Sequence, residues 1–124
     1  MVGKAHPTPM LLGYNTNGLA HHRWDDALAL IAEAGYRSVA LTIDHHCLAP
    51  WAANRATEVA RLRAQLHRYG LACVIETGAR FLLDPRRKHQ PTLVSPTENG
   101  RATRMAFLQD AVEIAAALDA HAVS

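Results

Sequence analysis

Apolar and polar positions along the chain fall into blocks whose period switches between that of a strand and that of a helix. "PMLLGYNTNG" begins apolar and ends in turn residues, which predicts a strand from about Met10 to Tyr14 that opens into a polar loop carrying Asn15, Thr16 and Asn17. Trp24, Ala27, Leu28, Ile31 and Ala34 then recur at helical spacing. Asp25 and Asp26 lie in the first turn of this helix, where its dipole favours acids, and Gly35 stops it in the left-handed region. In "SVALTID", Val39, Leu41 and Ile43 flank Ala40 and Thr42, so both faces look dry, as in a parallel strand covered by helices. A second helix is predicted from about Arg55 to Tyr69, with Val59, Leu62, Leu66 and Tyr69 on its buried stripe and Arg61, Arg63 and Arg68 on a solvated face. Gly70 ends it, "LACVIET" makes a third strand, and a long loop over residues 77–100 leads to a third helix from Arg101 to Leu118. Met105, Leu108, Val112 and Ala115 form the expected stripe of that helix. "DAHAVS" opens a fourth strand.

The junctions "AEAGYRSVALTID", "HRYGLACVIET" and "ALDAHAVS" repeat one unit: a helix end, a turn residue and an apolar strand, with Asp119 where the first two have glycine. Strands and helices alternating in this way demand a parallel sheet with right-handed crossovers, hence an α/β fold. A closed parallel barrel needs eight such units in about 250 residues. The 124 residues supply three complete units and the start of a fourth strand, about half a barrel in a single domain. Since residue 124 falls inside a strand, a fragment of a longer protein is expected. The alternative is a half-barrel that covers its open edges by pairing with another chain. A doubly wound sheet shows the same alternation.

Composition narrows the picture further. At 49% hydrophobic the chain has the material for one core. A formal charge of +2 supplies none of the strong field that nucleic-acid binding needs, so any anion recognition must be local. The N-terminal "MVGKAHPTPM" has no apolar signal core and no apolar run is long enough to span a bilayer, so a cytoplasmic protein without a membrane partner is expected. Cys47 and Cys73 stand alone, outside any zinc spacing, and read as free buried thiols.

In parallel sheets of this type the functional groups gather where strands end and helices begin. The first strand delivers Tyr14, Asn15, Thr16 and Asn17, the second Asp44, His45 and His46, and the third Glu76, Thr77 and Arg80. "DHH" offers donors for a divalent ion, with Asp44 and His46 on one face and His45 on the other. The plainer role is a turn capped by Asp44. "HH" at 21 and 22 precedes a helix and belongs at the surface. Glu76, at the end of a buried strand, must be paired, coordinate a metal or carry a raised pKa, and the last would make it a general base. Arg80, four residues on, is the simple ion-pair partner. In "DPRRKHQPT", Arg86, Arg87, Lys88 and His89 read either as a solvated run or as an anion grip in a long functional loop.

"GYNTNGLAHHRWDDALALIAEAGYRSVALTIDHH" together with "IETGARFLLDPRRKHQPTLVS" resembles the N-terminal half of a xylose isomerase-like TIM barrel, and more narrowly the bacterial sugar phosphate isomerases/epimerases. The resemblance implies metal-assisted proton or hydride transfer between adjacent carbons of a sugar or sugar phosphate, with a divalent ion (Mn, Mg or Zn) polarising the oxygens. In the family that ion is held mainly at the ends of later strands, so this chain alone is expected to be inactive, with Asp44, His46 and Glu76 the only ligand candidates in it. What the resemblance assigns to this half is Glu76 near the reacting carbons, Asn15 and Asn17 on hydroxyls, His46 at the rim, and a loop carrying Arg80, Arg86, Lys88 and His89 over an anionic end. A homo-oligomer is compatible with the same fold. The alternatives are a non-catalytic half-barrel that binds or dimerises, and an apurinic-site endonuclease-like barrel, against which the modest charge stands.

Overall fold

The structure is a computed structural model of the chain and describes residues 10–124. Residues 1–9, read above as lacking a signal core, lie outside the described part. Three strands form one parallel sheet in the order β1 (Gly13–Asn15), β2 (Ser38–Thr42) and β3 (Ala72–Glu76). A 3-10 turn over Thr16–Leu19 follows β1, and the helices are α1 (Trp24–Glu33), α2 (Arg55–Tyr69) and α3 (Glu98–Ala117). Beyond β3 a fourth segment has begun to pair. Val123 lies parallel to Ile75, and His121 N–H donates to the Cys73 carbonyl at 2.8 Å.

All three helices lie on one face of the sheet. Val39 and Leu41 of β2 and Cys73 and Ile75 of β3 join Leu28, Ile31, Leu62, Leu66, Phe107 and Ile114 in a single buried cluster. The alternate residues Ala40, Ala72, Val74 and Glu76 are only half-buried. The dry second face expected of β2 is therefore not observed up to Ala40, because successive right-handed crossovers have stacked the helices on one side. Helices on one side only is the arrangement of a barrel wall, whereas a doubly wound sheet is covered on both. With about 0.8 kcal/mol for each buried CH2, this one cluster supplies the main stabilisation of the unit.

The three junctions behave as one repeated device. Gly35, Gly70 and Asp119 all take positive φ, +95°, +64° and +53°, and each turns the chain from a helix end into the next strand. α2 has the predicted bounds, and α1 stops at Glu33 just ahead of Gly35.

Three sequence expectations need correction. β1 starts at Gly13, not Met10, and Met10 and Leu12 are exposed, since pairing begins only where the Leu12 carbonyl accepts from Arg37 and Ser38 N–H. α3 begins at Glu98, not Arg101, because the Thr97 hydroxyl caps it by accepting from Gly100 N–H at 3.1 Å. Its buried stripe is Phe107, Ala111, Ile114 and Ala115, while Met105 and Val112 are exposed. This helix is apolar on more than one side, so periodicity alone could not choose the face.

Candidate functional site

The register places the ends of three strands at one level. Thr42 lies opposite Glu76, and Asn15 pairs two residues before the end of β2, so the 3-10 turn after β1 folds over Thr42. Thr16 Oγ1 accepts from Thr42 N–H at 3.1 Å, and Asn15 Oδ1 holds the turn by accepting from Asn17 N–H at 2.8 Å. Asn15, Thr16, Asn17, Thr42 and Glu76 therefore meet at the C-terminal rim, where Asn17 and Glu76 touch across 59 residues of chain.

Glu76 is the centre of this group. Its Oε2 accepts from the Thr42 hydroxyl at 2.6 Å and from Asn17 Nδ2 at 3.3 Å, and its Oε1 accepts from Gly78 N–H at 3.2 Å. The Thr42 oxygen also lies 3.0 Å from Asn15 Oδ1. A hydroxyl has one proton, and the shorter contact to a carboxylate takes it. The ion pair with Arg80 expected as the plainer role of Glu76 is not formed among the described residues. Arg80 instead offers its carbonyl to His89 N–H at 2.6 Å. The carboxylate is thus half-buried and oriented by neutral donors, which leaves its charge uncompensated by any cation of the described chain.

His89 reaches the same place from the long loop. Its Nδ1 lies 2.7 Å from the Gly78 carbonyl, and a carbonyl can only accept, so Nδ1 carries a proton. A Cβ on Gly78 would stand 2.8 Å from Glu76 Oε1 and 3.8 Å from His89 Cε1, so a side chain there would displace the Glu76 carboxylate from its present position. Ala79 and His89 both hold positive φ, +55° and +63°. Strained backbone of this kind gathers where surrounding structure over-determines it, as at ligand sites. Further along the loop, Asp84 Oδ1 accepts from Arg86 N–H, and its Oδ2 pairs with Arg87 Nε at 3.2 Å. These bonds hold the Asp84 carboxyl below the usual carboxylate range. Arg86 and Lys88 are exposed.

Asp44 takes the plainer of its two roles. Its Oδ1 accepts from His45 N–H at 2.7 Å, and its backbone bridges Cys47 in a tight turn. β2 has already ended at Thr42, so the strand alternation expected of Asp44, His45 and His46 does not apply. His45 packs edge-on to Trp51, with ring centroids 6.2 Å apart. Thr16, Asn17, Thr42, Asp44 and His46 line one small hollow of about 20 Å3, and two of its walls, Asn17 and Thr42, are the residues that hold Glu76. Among the described residues no three His, Cys, Asp or Glu side chains come together to hold a metal ion, so Asp44, His46 and Glu76 are not a metal centre as a trio.

Two residues that sequence reasoning passed over, Thr42 and Arg104, shape the site. Thr42 looked like strand filler, and only the register brings it to Thr16 of the loop after β1. Arg104, on α3, donates from Nη2 to the Thr77 carbonyl at 2.7 Å and stacks over Phe107, while its buried Nη1 finds no acceptor among the described residues. Burial pushes its pKa below the ordinary arginine range. Its one sequence signal is a cation three positions before a buried aromatic.

With this geometry in view, the sequence pattern of the xylose isomerase-like TIM barrel matches residues 28–124. The chain belongs to the xylose isomerase-like TIM barrel family. Among solved structures, D-psicose 3-epimerase with D-tagatose from Clostridium cellulolyticum H10 is similar, with a TM-score of 0.64 at 18% identity. That match covers 92% of this chain and 36% of the epimerase chain, so the chain spans about a third of the length of its structural neighbour. No curated protein matches it in sequence. The family assignment and the neighbour agree with the one-sided helix layer as part of a TIM barrel. In such a barrel the rim that carries Glu76 is the face where loops build active sites. Among the described residues no helix is long and apolar enough to cross a membrane.

Proposed function

We propose that the chain forms the substrate-binding part of a sugar isomerase or epimerase, in which Glu76 moves a proton between adjacent carbons of a polyol or sugar. The observation that carries this reading is the Glu76 carboxylate held at the rim by Thr42 and Asn17, with no ion pair to it among the described residues. Hydrogen bonds from neutral donors set the direction of this carboxylate, which suits abstraction of a proton next to a carbonyl. The amide of Asn15 and the imidazole of His46 face ligand hydroxyls, and His89 with Arg80 closes the loop over the carboxylate. The family and its epimerase neighbour support the sugar as substrate class. The described residues do not by themselves supply a donor set for a divalent ion. In the whole protein its ligands would come mainly from elsewhere.

The test is Glu76→Gln, which keeps the shape and removes the base. In the whole protein, solvent-deuterium incorporation into ketohexoses and their phosphates, followed by NMR, is expected to fall by about 100-fold or more relative to the unsubstituted form. Undiminished incorporation in the Gln variant removes Glu76 from the reaction.

A further inference from the structure

Three histidines from two separate loops converge beside the group just described. His21 and His22 come from the turn ahead of α1 and His46 from the turn after β2, and they line one open cleft of about 590 Å3 with Arg23, Asp25 and Arg61. α2 delivers Arg61, so the cluster is assembled from residues 21–25, 46 and 61 and has no counterpart in any sequence motif. Its floor is firm. Trp24 is buried, and the Arg61 guanidinium lies over its ring, 5.1 Å from the centroid, with Nη1 3.3 Å from Asp25 Oδ2. Arg23 Nη2 approaches the same carboxylate oxygen at 3.8 Å.

The charge in this cleft is one-sided. Two guanidinium groups face one carboxylate, which leaves a positive surplus before any imidazole takes up a proton. The other acids nearby are engaged or turned elsewhere: Asp44 Oδ1 accepts from His45 N–H, Glu58 Oε1 accepts from Leu48 N–H, and Asp26 is exposed on α1 and does not line the cleft. Imidazole and guanidinium donors converging on one space are the chemistry that binds anionic oxygens. The cleft adjoins the small hollow at the strand ends, since His22, Trp24 and His46 wall both. At about 20 Å3 the hollow has room for about one water, so a ligand in the cleft meets cations and extends over the rim beside Asn17 and Thr42.

We propose that this cleft is an anion subsite, which takes the phosphate or carboxylate group of a polyol whose hydroxylated end reaches Thr42 and Glu76. The reach to Glu76 rests on the function proposed above; the anion site itself does not. The assignment moves anion recognition from the Arg86–His89 loop to the turn ahead of α1.

The experiment uses the purified protein with Trp51→Phe, which leaves Trp24 as its single tryptophan, since the sequence has two. Inorganic phosphate, a hexose phosphate, a hexuronate and the neutral hexose are titrated against Trp24 fluorescence. Phosphate and at least one anionic sugar are expected to bind, and His21→Ala with His22→Ala to weaken them about tenfold, as does Arg61→Met. Arg86→Ala with Lys88→Ala is expected to leave these affinities unchanged. Should Arg61→Met fail to fold once Asp25 loses its partner, the histidine pair, both exposed, carries the comparison alone. Whether the phosphate or the uronate binds tighter names the anionic group. No response to any anion overturns the proposal. So does binding that ignores the histidine pair or is lost with Arg86 and Lys88. If phosphate binds as expected but the sugar phosphate gains nothing over it from Thr42 and Glu76, the anion site stands and the function proposed above falls.

Discussion

At Thr42 two oxygens compete for one hydroxyl proton, and the shorter contact, 2.6 Å to Glu76, shows where it goes. A hydrogen bond to a charged acceptor is worth about 1.5–3 kcal/mol. Thr42→Val keeps the shape and removes that donor, so turnover of the whole protein is expected to fall about tenfold or more with the fold intact, read by activity beside circular dichroism. The cysteines report on burial at the same scale. Desolvation, helped by the charges of Glu58, Asp44 and Asp25, pushes the Cys47 thiol from 9.0 up to about 12, and burial with the Asp119 charge pushes Cys73 up to about 11. A thiol that keeps its proton longer when folded stabilises the fold fully below about pH 9, and this contribution is lost as pH rises from 9 towards 12. Urea midpoints are therefore expected to drop through this alkaline range, and less so in Cys47→Ala. An equal drop in both proteins would place the effect elsewhere.

Among the elements, α3 carries the clearest expectations. The Thr97 hydroxyl satisfies a first-turn N–H, so Thr97→Ala is expected to cost about 1 kcal/mol in a urea titration. Phe107 is fully packed in the core, and Phe107→Ala is expected to cost about 3–5 kcal/mol, because a cavity remains where the ring was. It also removes the surface on which Arg104 stacks. A loss of less than 1 kcal/mol at Phe107 would mean that α3 buries a different face. The loop between β3 and α3 is long, yet it is tied down at both ends, by His89 to Gly78 and by Arg101 Nη1 to the Ser95 carbonyl at 2.8 Å.

Across the whole molecule, stability follows position in the sheet. β2 pairs on both sides while β1 has one neighbour and three paired residues. Amide exchange is expected to be slowest over Val39–Thr42 and clearly faster over Gly13–Asn15, with the opposite order refuting the central place of β2. The βα repeat, the parallel sheet, the bounds of α2 and the turns at Gly35, Gly70 and Asp119 were legible in the sequence, because each depends on residues within one helix turn or one strand of each other. The burial of Cys47 and Cys73 and the capping by Asp44 were legible for the same reason. The buried face of α3 was not, since Met105, Leu108 and Val112 satisfy the same period as Phe107, Ala111 and Ile114. Nor was the bond between Thr42 and Glu76, or the meeting of His21, His22, His46 and Arg61. Local chemistry decides which residues form an element and where it stops. Which elements touch, and at what level, depends on strand register and the hand of the crossovers, and these exist only once the chain has folded onto itself.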